Sequence, residues 1–333
     1  MDLPGNIAVI GSGTWATALA KIVLIKNKRL NWFIRKTEII DEFFKVGYNP
    51  SYLSNVKFDL TKISFSSNIE RTVKESDTII IAVPSPYLKQ HLKKLKTSAF
   101  KDKFVVSAVK GIVPDDNMVV SEYISYNYKI PMEDIGIISG PCHAEEVAMD
   151  RLSFLTAACK DIEKANMLAE ATASRILRMS VSTDVVGIEL AGVLKNIYAV
   201  MSGICSGIGL GDNFQSVLMT YSAQEMERFI NVVAPMENRS ILEPAYLGDL
   251  LVTGYSQFSR NRTLGTMIGK GYSVKTAQLE MEMVTEGYYA TKCIKLLNNR
   301  FNIDIPIVDI AYDMLYNNVS PKVGVRKLIE CIS

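Results

Sequence analysis

The chain has 333 residues, of which 48% are hydrophobic and 22% are charged, and its formal net charge is +2. This length exceeds what one hydrophobic core usually holds, so we expect two domains. The small net charge gives no support to nucleic acid or an anionic membrane as a partner. Five scattered cysteines without a CxxC pair, and only two histidines, argue against a disulfide framework and against a metal site.

The beginning of the chain lacks the basic region of a signal peptide and reaches a strand pattern at residue 6. We therefore expect a cytoplasmic protein. From residue 6 to about 182, short apolar runs alternate with more polar segments of helix length, which is the rhythm of βαβ units. The predicted strands are Ile7–Ile10, Trp32–Ile34, Thr78–Val83, Phe104–Ser107 and Ile135–Ile138, with Leu155–Cys159 and Met179–Ser182 extending the sheet.

These runs are almost continuously hydrophobic, as expected for strands covered on both faces. The pattern predicts an α/β Rossmann-type domain with a doubly wound, mostly parallel sheet over residues 1–183. From Val185 onward the apolar spacing becomes helical, as in Ser216–Ile230. The sequence therefore predicts an all-α C-terminal domain over residues 184–333.

A glycine-rich segment follows the first predicted strand and precedes a helical pattern. It reads Gly11-Ser12-Gly13-Thr14-Trp15-Ala16. Gly11 would permit the tight turn, Gly13 would let the backbone approach a pyrophosphate, and Ala16 would keep the helix close to the sheet. With the helix N-terminus facing the phosphates, the segment predicts a dinucleotide-binding site.

The end of the second predicted strand bears on which dinucleotide is bound. Selectivity for NAD is associated with an acidic residue about twenty positions after the glycines, whereas Arg35 and Lys36 follow the strand here. Two cations suit a 2′-phosphate, so NADPH is favoured and NADH stays an alternative. The competing interpretation is that both side chains are ordinary solvated surface.

Other strand ends are expected to line the same crevice, because ligands of open α/β sheets bind at the carboxyl ends of the strands. Pro84, Lys110 and Gly140 each follow a predicted strand. Lys110 would place a positive charge at the crevice mouth, and Gly140 would allow close approach of the backbone. An exposed loop lysine is the alternative for Lys110.

The helical half contains a lysine, Lys195, in an otherwise uncharged run over residues 190–211. The run has the length of a membrane span, but Lys195, Asn196 and five glycines favour a buried core helix instead. A buried ammonium must find partners, lose its proton or reach a wet cleft. The alternative is snorkelling, with only the methylene stem buried.

Three further segments of this half carry polar groups. Asp249 and Thr253 are four residues apart and would share a helix face, unless Asp249 caps that helix after Gly248. Ser259–Arg262 holds two arginines suited to a phosphate, although such pairs are often solvated. Glu286 precedes a glycine, which by spacing alone is also typical of a helix end.

The motifs occur in the order Gly11–Ala20, Ala108–Gly111, Ser139–Pro141, Leu194–Asn196, Gly248–Leu250, Ser259–Arg262 and Glu286–Gly287. This ordered set spans nearly the whole chain and resembles NAD(P)-dependent glycerol-3-phosphate dehydrogenase of the bacterial type. The resemblance implies reduction of dihydroxyacetone phosphate to sn-glycerol 3-phosphate by NADPH or NADH, reversibly, in the supply of glycerophospholipid synthesis. The resemblance also implies a homodimer, although no feature of the sequence identifies an interface.

By this resemblance, Lys195 is the catalytic lysine, accompanied by Lys110 and Asp249, while Arg260 and Asn261 clamp the substrate phosphate. The expected substrate-binding residues are Lys110, Gly140, Cys142, Asn196, Asp249, Thr253, Ser259, Arg260 and Asn261. The expected cofactor-binding residues are Gly11, Ser12, Gly13, Thr14, Trp15, Ala16, Arg35, Lys36, Pro84, Lys110, Ala144, Arg260, Val284 and Glu286. Cys142-His143 departs from the small hydroxyl and aromatic residues that the family more often has there.

Lys195 is expected to act as acid in reduction and as base in oxidation, because charge develops on the C2 oxygen of the substrate. Desolvation and Lys110 would lower its pKa, and Asp249 would oppose this. Three other functions stay open: a reductase of the ketopantoate or 6-phosphogluconate type, a non-catalytic NADPH-binding sensor, and a structural interaction protein.

Overall fold

The computed structural model describes residues 5–26, 29–281 and 283–331. The chain divides into two compact units. The first contains the described residues up to Val109 together with Val120–Val185, and the second contains Lys110–Val119 together with the described residues from Val186. The short segment Lys110–Val119 therefore belongs with the helical unit, although it comes from the part of the sequence that has the βαβ rhythm.

The strands, in chain order, are β1 Ile7–Ile10, β2 Leu30–Phe33, β3 Ile63–Ser66, β4 Thr78–Ile81, β5 Phe104–Ser107, β6 Ile112–Val113, β7 Met118–Val119, β8 Ile135–Ser139, β9 Ser153–Cys159 and β10 Leu177–Ser182. Eight of them form the sheet of the first unit, in the order β10-β9-β8-β5-β4-β1-β2-β3. Only the β8–β9 pair is antiparallel. The predicted doubly wound, mostly parallel sheet is confirmed.

The helices of the first unit are α1 Thr14–Lys26, α2 Thr37–Val46, α3 Ile69–Lys74, α4 Leu88–Leu92, α5 Val120–Tyr128, α6 Ala144–Ala148 and α7 Ile162–Thr172. The central strands β1, β4 and β5 are buried at every residue. Strands covered on both faces must be hydrophobic throughout, which explains their unbroken apolar sequences.

Two features of the strands differ from the sequence-based prediction. Strand β3 was not predicted, because it lies at the sheet edge and its sequence Ile-Ser-Phe-Ser buries only the isoleucine fully. A strand with one covered face and an open edge needs few apolar residues. The antiparallel pair β6–β7 was also not predicted, since two-residue strands carry no periodic signal.

Apart from β6 and β7, the regular elements described in the second unit are helices. They are α8 Val185–Gly207, α9 Asp212–Val233, α10 Asp249–Tyr255, α11 Arg260–Gly269, α12 Val274–Glu280, α13 Glu286–Asn298, α14 Pro306–Tyr316 and α15 Pro321–Cys331. Within the described ranges, α8 is the one helix whose length and apolar composition would suit a membrane span, and it is 94% buried inside the protein over its most apolar stretch. It is a core helix, as predicted.

Helix α11 packs unusually close to α8. A Cβ added at Gly265 would lie 2.0 Å from the Val200 carbonyl oxygen, and one at Gly203 would lie 2.0 Å from the Arg262 carbonyl oxygen. Neither contact leaves room for any side chain larger than hydrogen. These glycines therefore set the position of the segment that begins at Arg260 relative to the helix that carries Lys195.

Candidate functional site

Lys195 lies in the middle of α8 and is only 5% exposed. Its Nζ donates to a carboxylate oxygen of Asp249 and to Oγ1 of Thr253, at 3.0 Å in the second case. The ammonium is therefore paired inside the protein. Snorkelling, the alternative raised from the sequence, is excluded because the charged end is buried with its partners.

Asp249 and Thr253 lie on one face of α10, as their spacing predicts. Thr253 Oγ1 donates to the carbonyl oxygen of Asp249 at 2.6 Å and accepts from Lys195, so it orients the lysine as well as its own helix. The capping alternative for Asp249 does not hold. A π-helical turn, Pro244–Gly248, leads directly into α10, and both carboxylate oxygens of Asp249 accept hydrogen bonds from lysines.

Lys110 is the second lysine. Its Nζ donates to Asp249 Oδ2 at 3.0 Å, with 18% of its side chain exposed against 2% for Asp249. Lys110, Lys195 and Asp249, referred to below as the lysine–aspartate cluster, thus place two amines on one buried carboxylate. With both amines protonated the cluster carries a net positive charge at a partly accessible position, which suits a substrate that becomes negative during reaction.

Burial and the neighbouring charges shift the pKa of Lys195 and of Asp249. Burial lowers the pKa of Lys195, Asp249 raises it, and Lys110 lowers it again, leaving it at about 7. Burial alone would raise the pKa of Asp249, but the two lysines outweigh burial and lower it. Asp249 therefore stays ionised, while Lys195 can gain or lose a proton near neutral pH, as a general acid and base requires.

Two asparagines connect this cluster to neighbouring segments. Asn196 donates from Nδ2 to the Lys110 carbonyl oxygen at 2.8 Å, and Asn261 donates from Nδ2 to Asn196 Oδ1 at 2.9 Å. The amide of Gly287 donates to Asn261 Oδ1 at 2.9 Å. Both carboxamides, expected from the sequence to bind substrate, are engaged within the protein and hold the backbone around Lys110 and the start of α13.

The predicted site residues at the start of α11 and near the start of α13 differ in burial and in contacts. Ser259 is 3% exposed and caps the helix, its Oγ accepting from the Arg262 amide at 3.3 Å. Arg260, the first helical residue, is exposed, and its guanidinium contacts Met283 Sδ at 3.6 Å. Val284 and Glu286 are half-buried near the start of α13. Arg260 is thus the more exposed of the two arginines in Ser259–Arg262, since Arg262 is half-buried.

In the first unit, the glycine-rich segment forms the turn between β1 and α1. Gly11 has a φ of 130°, and a Cβ there would lie 2.5 Å from the Ala82 carbonyl oxygen, so glycine is required. At Gly13 an added Cβ would meet no protein atom within 4 Å, which fits an outward face that a pyrophosphate can approach. Ala16 is fully buried and Thr14 begins α1.

The other predicted residues of this unit follow the carboxyl ends of parallel strands. Arg35 and Lys36 are exposed after β2, and Pro84 is exposed after β4. Gly140, with a φ of 127°, follows β8 and is succeeded by half-buried Cys142 and by Ala144 at the start of α6. Trp15 is partly buried and donates from Nε1 to the Ala108 carbonyl oxygen at 2.9 Å.

Sequence reasoning did not single out Trp32 or Asn49 as site residues. Trp32 Nε1 donates to the Gly11 carbonyl oxygen at 2.7 Å, and Asn49 Nδ2 donates to that of Ser12 at 3.0 Å. The Asn-Pro pair at residues 49 and 50 signals a turn, but nothing local indicates that the turn reaches the glycine-rich segment. No group of three His, Cys, Asp or Glu side chains in the described residues is placed to hold a metal ion.

Comparison with known proteins gives consistent matches over both units. Residues 6–165 match the N-terminal family model, and residues 184–326 the C-terminal family model, of NAD-dependent glycerol-3-phosphate dehydrogenase. The chain is 34% identical to glycerol-3-phosphate dehydrogenase (NAD(P)+) of Chlorobium phaeobacteroides over 94% of this chain and 93% of that protein. The crystal structure of glycerol-3-phosphate dehydrogenase from Coxiella burnetii superimposes with a TM-score of 0.90 at 27% identity, covering 98% of each chain.

Proposed function

Because the chain belongs to the NAD(P)-dependent glycerol-3-phosphate dehydrogenase family, we propose that it reduces dihydroxyacetone phosphate to sn-glycerol 3-phosphate and catalyses the reverse reaction. When bound, NADPH or NADH would supply the hydride that this reduction requires. The observation that carries the proposal is the buried lysine–aspartate cluster, whose Lys195 has a pKa of about 7. The product is a precursor of glycerophospholipids.

Lys195 donates a proton to the C2 oxygen as that oxygen becomes negative, so the ketone gains one hydride and one proton and becomes an alcohol. In oxidation the neutral amine takes the proton back. Its pKa near 7 keeps both forms populated at neutral pH, which is the condition for efficient general acid–base catalysis. Thr253 and Asp249 hold the amine in one orientation through the two hydrogen bonds described above.

Lys110 stabilises the developing negative charge and keeps the pKa of Lys195 low, since two ammonium groups on one carboxylate repel each other. Asp249 limits this repulsion and prevents either lysine from swinging away. Asn196 fixes the Lys110 backbone through the 2.8 Å hydrogen bond to its carbonyl oxygen. These proposed roles follow from charge and geometry, and each can be tested by substituting the residue.

Arg260 binds the phosphate of the substrate. It is the exposed cation at the first position of α11, where the helix N-terminus also favours an anion. Asn261 and Ser259 support this position, one through the asparagine pair and the other as the helix cap. Phosphate binding remote from C2 lets binding energy orient the ketone.

For the dinucleotide, NADPH is favoured over NADH because Arg35 and Lys36 offer two exposed cations after β2. Residues 1–183 are the nucleotide-binding domain and residues 184–333 the catalytic domain, with Lys110 contributed to the latter. We also propose that the enzyme is cytoplasmic and forms a homodimer. Light scattering coupled to gel filtration tests the association by measuring the mass of the particle.

The decisive experiment measures oxidation of NADPH and of NADH separately, with dihydroxyacetone phosphate present and absent. Oxidation that depends on dihydroxyacetone phosphate and does not occur with ketopantoate supports the proposal, and 6-phosphogluconate with NADP+ serves as the matching control in the opposite direction. The proposal would be overturned if the nucleotides were oxidised with ketopantoate but not with dihydroxyacetone phosphate. It would also be overturned if none of the tested substrates reacted.

Substitution of Lys195 tests the proton transfer. Lys195→Met keeps the length of the side chain but removes the acid, and we expect turnover to fall by about a hundredfold or more, with cofactor affinity little changed. Lys195→Arg is the matched control, because it keeps the charge but cannot release a proton at neutral pH. Near-normal turnover of Lys195→Met would contradict the assignment of Lys195 as the proton donor.

A further inference from the structure

The glycine-rich turn Gly11–Gly13 has an unusual feature on the side facing the protein. Each of its three successive carbonyl oxygens accepts a hydrogen bond from a side chain. Trp32 Nε1 donates to Gly11 O at 2.7 Å, Asn49 Nδ2 donates to Ser12 O at 3.0 Å, and Thr17 Oγ1 donates to Gly13 O at 2.9 Å. All three donor residues are fully buried.

Asn49 links these contacts to one another. Its Nδ2 also donates to Thr17 Oγ1 at 2.8 Å, so the carboxamide supports the hydroxyl that in turn holds Gly13 O. Its Oδ1 accepts from the amides of Ser51 and Tyr52, at 3.0 and 3.2 Å. Every polar atom of the Asn49 side chain is thus used, and the loop that follows it is tied to the turn.

The direction of the carbonyls determines the direction of the amides. In a trans peptide, C=O and N–H point in opposite directions. Carbonyls drawn toward Trp32, Asn49 and Thr17 therefore turn the following N–H groups toward the other side of the turn. Successive N–H groups that converge in this way bind anions, whereas a carbonyl oxygen facing a pyrophosphate would repel it.

We propose that Asn49, with Trp32 and Thr17, is a positioning residue for the dinucleotide: it holds the carbonyl groups of the turn away from the pyrophosphate. Because all three side chains are fully buried, they would act through the turn and not by direct contact with the dinucleotide. The inference rests on the proposed function only in requiring that the chain bind a dinucleotide. It places the effect on the pyrophosphate that NADH and NADPH share, and not on the 2′-phosphate that distinguishes them.

The test measures dissociation constants of NADPH and NADH by calorimetry for the wild type and three variants. Asn49→Asp keeps the acceptor for Ser51 and Tyr52 but replaces the donor by an oxygen facing Ser12 O. Thr17→Val keeps the shape and loses the hydroxyl, and Trp32→Phe keeps an aromatic ring and loses Nε1–H. We expect each variant to raise the dissociation constants of NADPH and NADH by about tenfold, as loss of one hydrogen bond implies. The ratio of the two dissociation constants should not change.

Two controls separate positioning from general damage. Thr17→Ser retains the hydroxyl and should restore wild-type affinity. Arg35→Asp should weaken the binding of NADPH and leave that of NADH unchanged, whereas the turn variants should weaken both equally. Circular dichroism and melting curves identify folded variants. If the buried Asn49→Asp carboxylate prevents folding, Thr17→Val and Trp32→Phe together provide the test.

Unchanged affinity for both nucleotides in folded Thr17→Val and Trp32→Phe would overturn the inference, as would a loss confined to NADPH. A wild-type protein that binds neither nucleotide would instead contradict the proposed function, so the two failures are distinguishable. The KM for dihydroxyacetone phosphate should stay near the wild-type value in each folded variant at saturating cofactor, since a positioning role toward the dinucleotide does not reach the substrate.

Discussion

At the scale of single residues, the proposed proton transfer depends on one carboxylate that accepts hydrogen bonds from two lysines. Asp249 is 1% exposed and accepts from both Lys110 and Lys195. A buried charge is tolerated only with partners, and an excess of one lysine leaves the cluster positive. Burial first, and then the charge of Lys110, lowers the pKa of Lys195 to about 7 against the opposing effect of Asp249.

The pH dependence of catalysis follows from this pKa. Reduction needs the protonated amine, so kcat/KM for dihydroxyacetone phosphate should fall as pH rises through about 7, while oxidation should fall as pH drops through the same value. Asp249→Asn removes the group that raises the pKa of Lys195, and should move the reduction limb to lower pH. Thr253→Val removes a neutral acceptor and should move it less. A limb that stays in place in Asp249→Asn would contradict this account.

At the scale of elements, close approach of α8 and α11 sets the distance between Lys195 and Arg260. Gly265→Ala would press a methyl group against the Val200 carbonyl oxygen at 2.0 Å. We expect it to lower the free energy of unfolding by about 1–3 kcal/mol, as overpacking does, and to raise KM for dihydroxyacetone phosphate by displacing α11.

Gly211→Ala is the matched control for Gly265→Ala. A Cβ at Gly211 would meet no atom within 4 Å, and its φ of −82° is ordinary. It should cost less than about 1 kcal/mol, as expected at a helix N-cap, and leave KM unchanged. Denaturant unfolding and substrate titration measure both effects. Equal losses in the two variants would show that the close packing has no special importance.

The start of α14 depends on a buried acid of α9. Glu225 accepts from the amides of Ile307 at 2.8 Å and Val308 at 3.2 Å, so it caps α14 from another helix. Burial raises the pKa of Glu225 from 4.5 to about 8, although these amides lower it. A folded-state pKa above the unfolded one gives a stabilisation that is complete below pH 4.5 and is lost as pH rises to about 8.

We therefore expect the free energy of unfolding to decline with rising pH across this interval, and to decline less in Glu225→Gln, which cannot ionise. Glu227→Gln is the control, since Glu227 lies on the same helix and is exposed. Denaturant unfolding, measured at intervals of about one pH unit between pH 5 and 8, provides the comparison. Parallel pH profiles for wild type and Glu225→Gln would refute the expectation.

At the scale of the whole molecule, the fold was largely predictable, because parallel strands covered on both faces leave continuous apolar runs in the sequence. All five strands read directly from such runs are present, as are the two predicted to extend the sheet. Edge strand β3 and the β6–β7 pair were not predicted, since β3 has one buried position and β6 and β7 are each only two residues long.

The sequence by itself determined the fold class, the position of the glycine-rich turn and the presence of a lysine that had to be paired. These follow from local rules: apolar periodicity, glycine at positive φ and the cost of an unpaired charge. The family resemblance named Lys110 and Asp249 as companions of that lysine. Only the tertiary structure decided that both lysines donate to one buried carboxylate, because the three residues are far apart in sequence. The tertiary structure also decided that Asn196 and Asn261 bind each other, and that Asn49 reaches the turn at Ser12, since these partners are 65 and 37 residues apart in sequence.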